Sequence, residues 1–146
     1  MSHISRAATV AADAETCFDY IADPDLAPLF LPGLYSITPI SVEPKGVGNT
    51  WGFEYDMFGV ALKGEAECIA YERPSKYVWK STSGVETQFT YEFETVEDGT
   101  AVSVEVHYEV TDDMIGKLAD ATVLERRNEQ EADTALRNLT VILEGA

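Results

Sequence analysis

Apolar residues follow two different periods along this chain, and the change falls near residue 111. Before it, apolar and polar side chains alternate in short runs, the two-residue period of a half-buried strand. Val102, Val104, Val106, Tyr108 and Val110 share one face of Thr100–Val110, with Ser103, Glu105, His107 and Glu109 on the other. Phe89, Tyr91 and Phe93 alternate in the same way with Gln88, Thr90 and Glu92 inside Glu86–Glu94. A dry face backed by a wet one is what an antiparallel sheet covered on a single side requires. After residue 111 the period lengthens, and Met114, Leu118, Ala121, Ala132, Leu136, Leu139 and Leu143 fall on one helical stripe. That predicts one helix from Asp112 to Glu144, with acids in its first turn and Gly145 as its stop.

Turn chemistry divides the rest. Ile4–Val10 reads as a first strand. Asp13 can cap a short helix through Cys17, Phe18 and Ile21, and Asp23-Pro24 starts a second, ended by Leu31-Pro32-Gly33. Strands follow at Ile37–Val42, Thr50–Phe58, Val60–Tyr71 and Tyr77–Ser81, separated by Pro44-Lys45-Gly46, Gly59 and Arg73-Pro74-Ser75. Gly84 and Glu97-Asp98-Gly99 make the last two turns. A lone helix cannot bury its stripe against itself, so the strands, about seven of them, must curl around it. The expected fold class is α+β: a curved antiparallel sheet wrapped around one long C-terminal helix, with two short helices after the first strand, over 1–146 as a single domain. Such a sheet encloses space between itself and the helix, which is room for a small, mostly apolar molecule.

Charge narrows the partners. The chain carries 26 acids against 10 Lys plus Arg, a net charge of −16, spread along its length. That field repels nucleic acid and anionic lipid, so neither is an expected partner. Adaptation to high salt is one reading of the acidity, and an ordinary acidic soluble protein is the other. No apolar run is long enough to span a membrane, so no stable membrane insertion is expected. The opening Met1-Ser-His-Ile-Ser-Arg lacks the apolar stretch of a signal peptide. Cys17 and Cys68 are too few for a disulfide framework and lack metal-ligand spacing. A cytoplasmic monomer or homodimer without a cofactor is expected.

The run AADAETCFDYIADPDLAPLFLPGL, then GVGNTW, YERPSKYVWKS and the DGTAVSVEVHYEV strand before a long final helix, resembles the START-like helix-grip superfamily (SRPBCC). Within it the chain is similar to the polyketide cyclase/dehydrase and lipid transport branch, over essentially its whole length. Phe30 stands where many members carry Trp. The resemblance implies the helix-grip fold and a ligand seated between sheet and final helix. It implies no set of catalytic residues, because the superfamily shares no catalytic motif.

Extending the alternation puts Trp51, Phe53, Tyr55, Tyr77 and Trp79 on the inner face with Phe89, Tyr91, Phe93 and Tyr108. These rings either line a pocket for an aromatic, isoprenoid or acyl ligand or pack as core, and each buried phenol needs a partner. On the helix, Glu125 and Glu129 fall close to the Leu118–Leu136 line, with Thr122 nearby and Arg126 at its edge. A carboxylate facing a dry cavity holds its proton more tightly and can act as acid or base, or bond a ligand hydroxyl. The alternative is that both glutamates are solvated at the cavity mouth. The expected ligand-binding set is therefore Trp51, Phe53, Tyr55, Trp79, Phe89, Tyr91, Tyr108, Leu118, Thr122, Glu125 and Glu129. Glu125 and Glu129 are also the candidate catalytic residues. His107 alternates toward solvent, His3 lies near the terminus, and no catalytic triad, Cys–His pair or metal cluster is expected. Gly46-Val47-Gly48 precedes a strand and reads as a turn, not a phosphate cradle.

Three functions fit this outline. A carrier or sequestering protein needs only the cavity. An enzyme resembling polyketide cyclases or dehydratases needs a placed acid or base as well. An interaction module needs an exposed apolar patch, which the Glu- and Thr-rich wet faces do not offer.

Overall fold

The computed structural model describes residues 2–41, 45–57, 59–118 and 120–145, without the side chains of 117 and 118. Seven strands form one sheet: β1 (Ser2–Val10), β2 (Leu34–Pro39), β3 (Thr50–Met57), β4 (Val60–Glu72), β5 (Lys76–Ser83), β6 (Thr87–Val96) and β7 (Gly99–Tyr108). Their order is β1-β7-β6-β5-β4-β3-β2, and every pairing is antiparallel. Each neighbour is thus a sequence neighbour except at one seam, where β1 closes on the last strand from Ser2↔Tyr108 to Val10↔Thr100. The expected strand ends at Val42 and Phe58, and Pro44 of the first turn, lie outside the described residues. β2 begins at Leu34, earlier than the expected Ile37.

Helix α1 (Ala14–Ile21) starts where the Asp13 carboxylate accepts from the Thr16 N–H at 2.7 Å. The next segment, Pro24–Leu29, is a 3-10 helix capped by Asp23. Pro28 sits inside it without an N–H to donate, which keeps the segment short and tightly wound. Register shifts at Glu65/Ala66 and Cys68/Ala70 in the β4–β5 pair, and at Leu34/Ser36 in β2–β3, bend the sheet toward its inner face. Gly99 (φ 144°) lets β7 lie directly on β1, since a Cβ there would run into the carbonyl oxygen of Val10.

The inner face packs on α1 and on the C-terminal helix. Phe18 of α1 is fully buried and meets the rings of Tyr71 and Phe93 edge-on, at 5.0 and 5.4 Å between centroids. Leu136, Leu139 and Leu143 bury the far end of the final helix. Thr100, also fully buried, donates from Oγ1 to the Ala12 carbonyl at 2.8 Å and ties the seam to the start of α1.

The expected single C-terminal helix is two: α2 (Asp112–Leu118) and α3 (Ala121–Glu144). Asp120 is extended (φ −161°, ψ 130°), and its carboxylate accepts from the Thr122 N–H at 2.7 Å, so it caps a new helix. A cap residue has non-helical backbone, so helical phase is not carried across it. The stripe drawn through Leu118 and Ala121 is corrected accordingly: Met114 is buried in α2, but Ala121 is exposed, and the Leu118 side chain lies outside the described residues. Along α3 the buried arc also rotates, from Leu124, Asn128 and Ala135 to Leu136, Leu139 and Leu143. At about 100° per residue the two sets are centred roughly 70° apart, as a straight helix crossing a twisted sheet requires. No helix among the described residues is long and apolar enough to cross a membrane.

Candidate functional site

The alternation of β3, β5, β6 and β7 turns one ring in two toward the final helix, and the curvature of the sheet keeps those rings from closing on it. A cavity of about 120 Å³ remains between them. At ~10–15 Å³ for each water this is room for on the order of ten waters, or for a bicyclic molecule in their place. Trp51, Phe53 and Tyr55 from β3, Tyr77 and Trp79 from β5, Phe89 and Tyr91 from β6 and Tyr108 from β7 line it. Trp79 stacks on Phe89 (4.6 Å between centroids, 11° between planes) and meets Trp51 edge-on at 6.0 Å. The ring wall is therefore one connected surface. Opposite it stand Pro24, Phe30, Leu31 and Pro32 from the segment after α1, and Asn128, Glu131 and Ala132 from α3. Gly33 lies flat on the Tyr55 ring, where a Cβ would sit 2.6 Å from Cζ.

Three polar side chains break this apolar lining. The Tyr108 hydroxyl, Asn128 Nδ2 and Glu131 Oε2 are buried without a hydrogen-bond partner among the described residues. Asn128 is only 6% exposed. It lies beside the Tyr108 hydroxyl without reaching it in hydrogen-bond geometry. Burial raises the Glu131 carboxyl above its ordinary range, and the Asp56 charge adds to the effect. Burial likewise raises the Tyr55, Tyr77 and Tyr91 phenols, so they stay protonated as donors, and the Glu131 charge contributes at Tyr55. The cavity thus offers donors and an acid on one side and rings on the other.

The structure brings Trp51, Phe53, Tyr55, Trp79, Phe89, Tyr91 and Tyr108 together on this cavity. It sets Thr122, Glu125 and Glu129 elsewhere, on the exposed side of α3. Glu129 Oε2 lies 3.3 Å from Arg6 Nη2, and the same guanidinium donates from Nε to Asp133 at 2.8 Å. Glu125 accepts a bond of 3.4 Å from the Ser2 hydroxyl. The expectation that Glu125 and Glu129 face the ligand is corrected to Asn128 and Glu131, one turn apart, because the buried arc rotates along α3 and the Leu136 phase does not extend back to its first turns. Leu124, Asn128, Glu131 and Ala135 share one helical spacing with an apolar residue at either end, and this is the signal that would have found them. Cys17 and Cys68 are free and buried, apart from the cavity lining.

His107 lies on the outer face of β7, as its parity predicts, and meets His3 and Glu105 there. The sequence spacing gave no sign of this grouping, which forms only across the β1–β7 seam.

A sequence profile of the family described as polyketide cyclase / dehydrase and lipid transport matches residues 1–144. No match is found among curated proteins. Among solved structures, the protein TTHA0849 of Thermus thermophilus is 16% identical, over 95% of this chain and 94% of that one, with a TM-score of 0.79. A START superfamily protein of Mycobacterium smegmatis is 15% identical over 90% and 96%, with a TM-score of 0.65. The di-domain ARO/CYC protein BexL of the BE-7585A biosynthetic pathway is 18% identical, with a TM-score of 0.71; the match covers 98% of this chain and 50% of that longer one. At these identities the likeness establishes the fold, which is the helix-grip arrangement.

Proposed function

The chain belongs to the polyketide cyclase / dehydrase and lipid transport family, and from that membership we propose that it binds a small, mostly apolar molecule as a carrier or sequestering protein. The observation that carries this reading is the aromatic cavity with three partnerless polar atoms at its helix side. An apolar core of this size gains stability by closing; buried polar atoms left without partners cost about 1–3 kcal/mol each. A ligand with a ring body and one hydroxyl or carbonyl satisfies both halves of the lining. Its rings stack on Trp79 and Phe89, and its oxygen meets Tyr108, Asn128 or Glu131.

One observation favours a second reading, an enzyme of the cyclase or dehydratase kind. Glu131 is a carboxyl held above its ordinary range inside the cavity, beside a Tyr55 phenol it perturbs. Aldol closure or loss of water needs a group that takes one proton and returns another, and a carboxyl of raised pKa is suited to both.

The test begins with native mass spectrometry and solvent extraction of the purified protein. Trp51 and Trp79 are the chain's two tryptophans, so intrinsic fluorescence reports directly on the cavity. Titration with 2-naphthol should be saturable in the wild type and lost in Ala132→Phe, which fills the cavity. Asn128→Leu should weaken 2-naphthol while sparing naphthalene. Non-saturable quenching, or equal binding by Ala132→Phe, overturns the binding reading. An extracted molecule that the wild type dehydrates and Glu131→Gln does not would favour the enzyme; its unchanged recovery from both would favour the carrier.

A further inference from the structure

We propose that His3, Glu105 and His107 form a site for a divalent transition-metal ion, with Zn²⁺ as the test case, on the outer face of the sheet. The register places His3 directly opposite His107 across the β1–β7 seam. Glu105 is two residues before His107, on the same face of the same strand. Residues opposite each other in an antiparallel pair have side chains close enough to share a ligand. Here the two imidazoles stack at 4.5 Å with 23° between planes. Both converge on one carboxylate oxygen: Glu105 Oε1 is 2.9 Å from His3 Nε2 and 3.2 Å from His107 Nε2.

Those separations match a coordination polyhedron. Zinc–nitrogen and zinc–oxygen bonds of about 2.0–2.1 Å at tetrahedral angles put ligand atoms about 3.3 Å apart. The three donor atoms all lie within 4.8 Å of one another, so an ion entering between them needs only small side-chain movements. Two imidazoles and a carboxylate suit zinc and its late first-row neighbours, and not magnesium or calcium, which prefer oxygen alone. Three protein ligands leave a fourth position for water.

The surroundings favour a cation. By register the flanking outer-face residues are Ser5 and Thr90 beside Glu105 and Gln88 beside His107, none of them charged. Lys80 stands one strand further out, opposite Gln88. The net charge of −16 raises the local concentration of cations over the whole surface. The site is separate from the cavity, since its side chains point to the opposite face of the sheet.

The experiment is calorimetric titration of the full chain with Zn²⁺, and with Co²⁺ for its visible spectrum, at neutral pH and moderate salt. One Zn²⁺ per chain is expected, with affinity reduced at least tenfold in His107→Ala and in His3→Ala, and reduced in Glu105→Gln. His3 and Glu105 keep 47% of their side-chain surface exposed and His107 keeps 41%, so the metal-free variants should keep the wild-type circular dichroism and melting midpoint. Zn²⁺ binding by the His3→Ala/His107→Ala double variant equal to wild type would assign the ion to the scattered surface acids and overturn the proposal. So would the lack of stoichiometric binding at about 100 μM Zn²⁺.

Discussion

Asn128→Leu should make this protein more stable. Leucine has the branching of asparagine with two methyl groups in place of the amide oxygen and nitrogen, and the site is an apolar wall in which Asn128 is 6% exposed and its Nδ2 has no partner among the described residues. A buried donor without an acceptor costs about 1–3 kcal/mol, so removing it should return about 1–2 kcal/mol after some loss to repacking. For a chain of this size that is a rise of roughly 2–8 °C in melting midpoint. Asn138, ten residues on in the same helix, is the control. It donates from Nδ2 to the Phe30 carbonyl at 3.3 Å. Asn138→Leu strands that carbonyl and should cost about 1 kcal/mol. Urea melts of the three proteins, fitted with a common slope, give the comparison. The reasoning is refuted if both substitutions move stability in the same direction, or if Asn128→Leu destabilises. Destabilisation by Asn128→Leu would mean that the Asn128 amide is satisfied in the free protein, and the case for a polar ligand contact there would fall with it.

Glu131 supplies a pH signature. Its folded pKa is raised, so the stability it lends is fully present below its unfolded value, near the ordinary 4.5, and is lost as pH rises through the raised folded value. Wild type minus Glu131→Gln should therefore fall across that interval in denaturant melts taken from pH 4 to 8, and a flat difference would place the carboxylate in water. Asp13, Asp19 and Glu105, all lowered, act in the opposite sense but cancel in that subtraction. The thiols give a third expectation: Cys17 and Cys68 are buried and Cys68 is pushed up to about 11. Neither should react with a thiol reagent at pH 8 faster than the protein opens, and rapid labelling of the native protein would contradict their burial.

The inner wall of the cavity was legible because a strand's parity is a local property. Phe89, Tyr91 and Tyr108 sit in β6 and β7, whose clean alternation names the buried face without reference to any other element. The helix side was not legible in the same way, since a stripe must be projected over many turns while the face a helix buries rotates as it crosses a twisted sheet. Asp120 looks like an acid inside a helix until its carboxylate is seen closing on the Thr122 N–H. Within α3 the Leu136–Leu143 phase carried backwards selects Glu125 and Glu129, whereas the arc buried in the first half, marked by Leu124 and Ala135, selects Asn128 and Glu131. The 3-10 winding of Pro24–Leu29 could be read from Pro28, but the closeness of His3 to His107 could not. Parity says that each faces outward; only the register of two strands about a hundred residues apart says that they meet.

The seam between β1 and β7 also governs the order in which this chain can assemble. Val10 pairs with Thr100 and Ser2 with Tyr108, so β1 has no native strand partner until β7 is made. At about 5–20 residues per second, the 90 residues from Val10 to Thr100 take roughly 5–18 s. The hairpins β3 to β7 need no such delay, because each forms with its immediate neighbour. Assembly on the ribosome thus proceeds from the middle outward. Strand β1 waits as an unpaired edge, and α3, which clasps it through Arg6 to Glu129 and Asp133, is made later than its strand partner.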